Sequence, residues 1–242
     1  MKSFMFLATT ALALFLIASV SGAASIGINF GADEPDGARS DVSGPAGVLG
    51  TANWNNVDGA SGFAGSLVDG AGAATAAAVE WSSPNTWSST GRGEENNTAP
   101  AGDDRNLMTG YLDTQGEGGQ GANVVVSGLT GIFPGDTYNV YVYIKGGVNG
   151  RGGDYTIGAQ TQSHVDVGPF TGTYVFGSEG DVLVFPGVSG DSFTLDTAAM
   201  GAGTQRAGVD AVEISDTLVP EPSSLVLIGL AVAFAVGIVR RR

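Results

Sequence analysis

The stretch Thr137–Ile144, TYNVYVYI, decides the fold. Successive side chains of an extended strand point to opposite faces. Tyr138, Val140, Val142 and Ile144 therefore share one face, and Asn139, Tyr141 and Tyr143 the other. β-Branched and aromatic residues suit a pleated surface. Turn chemistry brackets the run: Phe133-Pro134-Gly135-Asp136 before it and Asn149-Gly150 after it.

Working outward, similar alternation predicts strands at Ser25–Phe30, Ala122–Ser127, Asp181–Phe185, Ser192–Leu195 and Val209–Ile214. Less regular runs at Ala73–Trp81, Asn106–Leu112, Asp154–Ile157 and Thr173–Phe176 add further strands. Gly152-Gly153, Pro186-Gly187 and Ser189-Gly190-Asp191 read as turns between them. The alanine run Ala71–Val79 favours helix by propensity, but it is short and flanked by glycine, so it is read as strand. No other part of the body has a sustained helical period. Forty glycines in 242 residues far exceed the usual ~7 % and lack a collagen triplet. They fall at turns, as a domain of many short strands requires. The prediction is an all-β fold, an antiparallel β-sandwich. No fixed repeat suggests a propeller or solenoid.

The two ends read differently from the body. Lys2, the apolar run Phe4–Val20 and the small residues Ser21-Gly22-Ala23 form a secretory signal pattern, giving a signal peptide over 1–23 with a signal helix. An uncleaved first transmembrane helix is the competing reading. At the other end, Ser223–Val239 carries no charge and is followed by Arg240, Arg241 and Arg242. Seventeen residues at about 1.5 Å each make a rod somewhat short of the ~30 Å hydrocarbon slab, and arginines snorkel to cover the difference. The predicted organisation is signal peptide 1–23, β-sandwich 24–216 and a tail 217–242 with a single transmembrane helix at 223–239. The basic end 240–242 stays cytoplasmic, which places the body outside.

Between residues 24 and 219 stand six basic side chains and 23 acidic ones, a balance near −17. Phosphate backbones would be repelled, so nucleic acid is not an expected partner. With no cysteine, thiol chemistry and thiolate metal sites are excluded, and an exported chain has no disulfide to hold it. One histidine, His164, excludes zinc or haem sites built on several histidines. No phosphate-loop motif is present, and Lys145 is the only lysine beyond Lys2.

Val219-Pro220-Glu221-Pro222, then an apolar helix, then the arginine cluster resembles the PEP-CTERM protein-sorting signal of Gram-negative bacteria. The resemblance covers the tail only. It implies Pro220, Glu221, Pro222, Arg240, Arg241 and Arg242 as sorting residues and an exosortase-type processing enzyme as partner. The chain is then anchored in the inner membrane before processing and reaches the cell surface or extracellular matrix afterwards. Exopolysaccharide production typically accompanies such proteins. More loosely, Asn53-Trp54-Asn55-Asn56, NLMTGYLD at 106–113, YNVYVYI and VDAVEI at 209–214 resemble a recurring ectodomain of PEP-CTERM proteins. The last of these is similar to the closing strand of galactose-binding-like jelly rolls. That group implies a jelly-roll-like sandwich and a carbohydrate- or surface-binding module, and the body is read as non-catalytic.

Candidate ligand residues are Trp54, Asn55 and Trp87. Indole faces stack on the apolar C–H faces of pyranoses, and asparagines bond hydroxyls; the competing reading is a core tryptophan flanked by turn-forming asparagines. Trp81 follows an apolar run and is expected in the core. Glu94, Glu95, Asp103 and Asp104, with the earlier cluster Asp33-Glu34-Pro35-Asp36, offer oxygens for calcium, the one candidate cofactor. The alternative is a solvated charge run. His164 beside Ser163 and Asp166 is expected as a surface histidine rather than a catalytic base, and no catalytic residue is assigned. Asn96-Asn97-Thr98 matches a glycosylation sequon. Alternative functions are a purely structural envelope protein and a polysaccharide-active enzyme working through paired carboxylates.

Overall fold

The computed structural model describes residues 24–31, 40–91, 93–115, 119–200 and 205–218. The signal peptide, the cluster Asp33–Asp36, the sorting residues and the helix expected at 223–239 lie outside them. Among the described residues no helix is long and apolar enough to cross a membrane.

The strands, in chain order, are β1 (Ser25–Gly31), β2 (Trp54–Asp58), β3 (Ser61–Ala64), β4 (Ala78–Ser82) and β5 (Asn85–Ser88). A one-turn helix α1 (Asp103–Leu107) precedes β6 (Gly110–Asp113), β7 (Asn123–Ser127) and β8 (Thr137–Tyr143). Then come β9 (Gly152–Ile157), β10 (Gln160–Val165), β11 (Val182–Ser189), β12 (Phe193–Ala199) and β13 (Ala211–Ser215). One sheet runs β11-β8-β13-β1-β2, the other β10-β9-β12-β7-β4-β3, and β5-β6 form a short ribbon. From β7 onward the chain passes repeatedly from one sheet to the other. All pairs are antiparallel except β1–β2, which is parallel. The β-sandwich is as expected apart from that pair.

The alternation of β8 builds two layers at once. Tyr138, Val140, Val142 and Ile144 enter the main core with Ile26, Ile28, Phe30, Val124, Val126, Leu195, Val212 and Ile214, contributed by both sheets. Tyr141 and Tyr143 face away, into a second apolar cluster with Val42, Trp54, Leu107, Met108 and Phe170. Loops thus cover the outer face of the five-stranded sheet, which is why both faces of β8 are buried. An asparagine ladder pins the cover. Asn29 Nδ2 donates to the Ser40 carbonyl and to Asn56 Oδ1, and Asn56 Nδ2 donates to the Val42 carbonyl.

Several local expectations give way to packing. Gly152-Gly153 opens β9 rather than making a turn: a Cβ on Gly153 would lie 2.5 Å from the Ala198 carbonyl oxygen, so glycine permits a close strand approach. Pro186-Gly187 is a register shift inside β11, an edge strand that tolerates a missing N–H. Asn106–Leu112 divides between α1 and β6. Thr173–Phe176 is loop with one bridge at Phe176, and of Ala71–Val79 only the last two residues join β4.

Candidate functional site

The ribbon β5–β6 sets out the site. In β5, Thr86 and Ser88 are buried while Asn85 and Trp87 point outward, as strand alternation dictates. In β6, Tyr111 sits opposite Trp87 and Asp113 opposite Asn85. Leu112 turns into the main core, so Tyr111 and Asp113 share the face of Asn85 and Trp87. Over this face lie Glu94, Arg151 and Arg206, enclosing with Asn85, Trp87 and Asp113 a cavity of about 230 Å³.

Each wall is fixed by a polar contact. Trp87 Nε1 donates to Glu94 Oε2 at 2.9 Å. Arg151 lies 3.4 Å from Glu94 Oε1, and Arg206 Nε 3.6 Å from Asp113 Oδ1. Gly147 makes room for Glu94: a Cβ there would lie 2.0 Å from its Oε2. Burial pushes the Asp113 carboxyl upward from its ordinary range, with Arg206 opposing. Arg151 Nε is buried without a protein partner. The cavity therefore presents guanidinium donors, carboxylate acceptors and a half-buried indole in a charge-balanced space. Its volume is below the roughly 300–1,000 Å³ of drug-sized ligand sites and suits one ring rather than a chain. Larger depressions exist elsewhere. One of about 550 Å³ lies beside the β9–β10 turn, lined by Ile157, Gln160, Ser189, Phe193 and Asp196, and Asp196 is the one ionisable group in its lining.

Trp54 and Asn55 belong to the framework. Trp54 is 6 % exposed; its Nε1 donates to the Thr51 carbonyl and its ring lies over Gly27, where a Cβ would be 2.6 Å from it. Asn55 bonds the Gly27 and Val68 carbonyls and accepts from Val68 N–H. Neither offers a surface for a sugar, because the close β1–β2 pairing buries the indole and backbone groups take the amide. Trp81 lies in the core as expected, with its Nε1 on the Gly59 carbonyl.

The acidic residues expected around calcium are dispersed. Asp103 accepts from Ser43 N–H and hydroxyl, Asp104 from Gly47 N–H and the Tyr174 hydroxyl, and Glu95 from Gly91 N–H and the Thr90 hydroxyl. Asp103 and Asp104 anchor loops around the helix, while Glu95 stays exposed to solvent as the charge-run reading expects. Among the described residues no group of three or more histidine or acidic side chains is placed to hold a metal. His164 is buried rather than on the surface. One ring nitrogen lies 2.8 Å from the Gly180 carbonyl, and burial depresses its pKa. Ser163 donates to Asp154 instead, so its hydroxyl is not paired with His164. Asn96 of the sequon is 3 % exposed and bonded to Asp166 and the Gly146 carbonyl.

Sequence reasoning missed Asn85, Asp113, Arg151 and Arg206. Their approach depends on the pairing of β5 with β6 and on two distant loops, and no local spacing encodes that.

Fold and groove together define an all-β sandwich protein with a polar, tryptophan-lined surface cavity. The model of the PEP-CTERM protein-sorting motif matches residues 218–242, so the chain carries the mark of an exported, membrane-processed protein sorted through an exosortase. No curated protein and no solved structure matches the chain.

Proposed function

We propose that the chain is a non-catalytic cell-surface or extracellular-matrix protein whose sandwich, of jelly-roll type, holds carbohydrate of an exopolysaccharide at the Trp87 groove. The signal peptide at 1–23 would export the chain, and the tail at 217–242 would hold it in the inner membrane and present Pro220–Pro222 to the exosortase. The observation that carries the binding reading is the indole of Trp87, half-buried and steered by Glu94, beside two arginine–carboxylate pairs. Such a wall matches a sugar ring, with apolar C–H groups on one face and hydroxyls at its edge. Because both arginines are paired, the groove favours a neutral ring over an acidic one. The strongly acidic body also repels polyanions.

A glycosidase would need one carboxylate to activate water opposite a protonated acid. Both oxygens of Glu94 are already engaged, by Trp87 and Arg151, which argues against that role. A purely structural envelope protein would need no concave aromatic surface.

The test is a pull-down of the purified protein on neutral and acidic polysaccharides, with and without calcium, alongside Trp87→Ala and Arg206→Ala. Retention on a neutral polysaccharide that falls at least tenfold in both variants supports the proposal. No retention on any polysaccharide refutes it, as does release of reducing ends by the wild-type protein.

A further inference from the structure

Lys145 lies two residues beyond the end of β8, and its side chain is 3 % exposed. Burying an ammonium costs several kcal/mol unless geometry and hydrogen bonds offset it, so the only lysine of the body lies where lysine is least expected. Its Nζ lies 2.8 Å from Asp166 Oδ1, 3.2 Å from Asp181 Oδ1 and 2.6 Å from the Gly168 carbonyl. Asp210 closes the other side. Its Oδ2 accepts from the Lys145 backbone N–H, and its Oδ1 is buried without a partner. The sheets meet here, since Lys145 leaves the five-stranded sheet and Asp166 leaves β10 of the six-stranded one.

Asp166 is held as an electrophile would be. Its Oδ1 faces the amine, while Oδ2 accepts from Asn96 Nδ2 at 2.8 Å and from Gly146 N–H at 3.2 Å. Two donors on one carboxyl oxygen are what a tetrahedral oxyanion requires. A cavity of about 10 Å³ lined by Gly146, His164 and Asp166 adjoins the carboxyl, close to the volume one water needs.

We infer that Lys145 and Asp166 form a self-catalysed isopeptide site, in which Nζ condenses with the Asp166 carboxyl to an amide that staples the two sheets together. One ammonium proton passes along the 2.8 Å hydrogen bond to Oδ1. Nζ then bonds to Cγ, with the negative charge on Oδ2 under Asn96 and Gly146. Asp181 takes a second proton from nitrogen and returns it to Oδ1. The Cγ–Oδ1 bond breaks, water leaves with both protons, and the amide keeps one. Asp181 suits the relay because burial raises its carboxyl pKa, with Lys145 opposing. Proximity of this kind replaces an external activating enzyme. For an exported chain without cysteine, the amide supplies the covalent tie that a disulfide otherwise gives.

The test is tryptic peptide mass spectrometry of the purified full-length protein. The expected product is Asn106–Arg151, uncut at Lys145, joined to Gly152–Arg206 and lighter than their sum by one water. The joined pair decides, rather than intact mass, because Asp58-Gly59 and Asp69-Gly70 also lose water as succinimides. Lys145→Arg keeps the charge and should give no joined pair. Asp181→Asn should keep the pairing of Lys145 with Asp166 yet reduce the joined fraction at least tenfold. Folded wild-type protein that is cut at Lys145 and yields separate peptides overturns the inference. A joined pair undiminished in Asp181→Asn overturns the relay.

Discussion

Glu213 gives the fold a dependence on pH that a single substitution should remove. It lies on β13, buried, where Thr51 Oγ1 and the Tyr143 hydroxyl each approach one carboxyl oxygen at 2.5 Å. Tyr143 in turn accepts from Val48 N–H, so the carboxyl ties the loop at residues 46–51 to the sheet. Burial raises its pKa from the ordinary 4.5 to about 7, against the opposing hydrogen bonds. The unfolded chain releases this proton near 4.5, while the folded chain keeps it to about 7. Between those values the folded state binds more protons, so stability falls as pH rises, and above about 8 the loss is complete. At about 1.4 kcal/mol for each pH unit, the interval comes to about 3 kcal/mol. For a body of this size that is a fall in Tm of about 6–12 °C. Glu213→Gln keeps the shape and cannot ionise. Urea unfolding followed by tryptophan fluorescence, run from pH 4 to 8.5 on both proteins, isolates the effect, because every other carboxylate is common to the two. Wild-type stability should drop relative to the variant by about 3 kcal/mol across that range, mostly between pH 5 and 7.5. Two curves that stay parallel would show that Glu213 titrates alike in the folded and unfolded chain and refute the reasoning.

Three further outcomes follow from other parts of the chain. Gly27→Ala should destabilise the protein by about 1–3 kcal/mol in urea, because the new Cβ would sit 2.6 Å from the Trp54 ring and force β2 away; an unchanged unfolding midpoint would show that the ring yields freely. Val142→Ala should cost about 2 kcal/mol through the cavity left between the sheets, measured the same way. Replacing Glu221 or deleting Arg240–Arg242 should leave an unprocessed, membrane-bound form on immunoblots of cell fractions, and normal size and location in both variants would remove the sorting role from those residues.

What was legible in the sequence tracks what local chemistry controls. TYNVYVYI gave both faces of β8, because strand alternation is set by the backbone and needs no partner. It could not reveal that Tyr141 and Tyr143 face a second core, since their cover comes from loops near residues 42, 107 and 170. β2, β3, β5 and β10 escaped notice because their sequences, WNNVD, SGFA, NTWS and QTQSHV, are short or polar and are held in place by sheet pairing. Trp87 stood out as an aromatic among polar residues, and the groove does form beside it. Trp54, in an equally polar setting, is instead drawn inward by the space above Gly27. The buried charges were the least legible. Charge runs ordinarily read as solvated, yet Lys145, Asp166, Asp181 and Asp210 converge from four segment ends. Each stands just outside a strand, where a sequence reading expects water, and the sandwich brings those ends together. Lys145 offsets part of the cost of burying the three carboxylates, and the cluster joins the two sheets at the end of the molecule nearest the groove, since Arg151 and Arg206 line both the groove and the small cavity beside Asp166. A ligand held by those arginines would therefore bear on the same few residues that hold the sheets together, and removing Lys145 should loosen the groove as well as the fold.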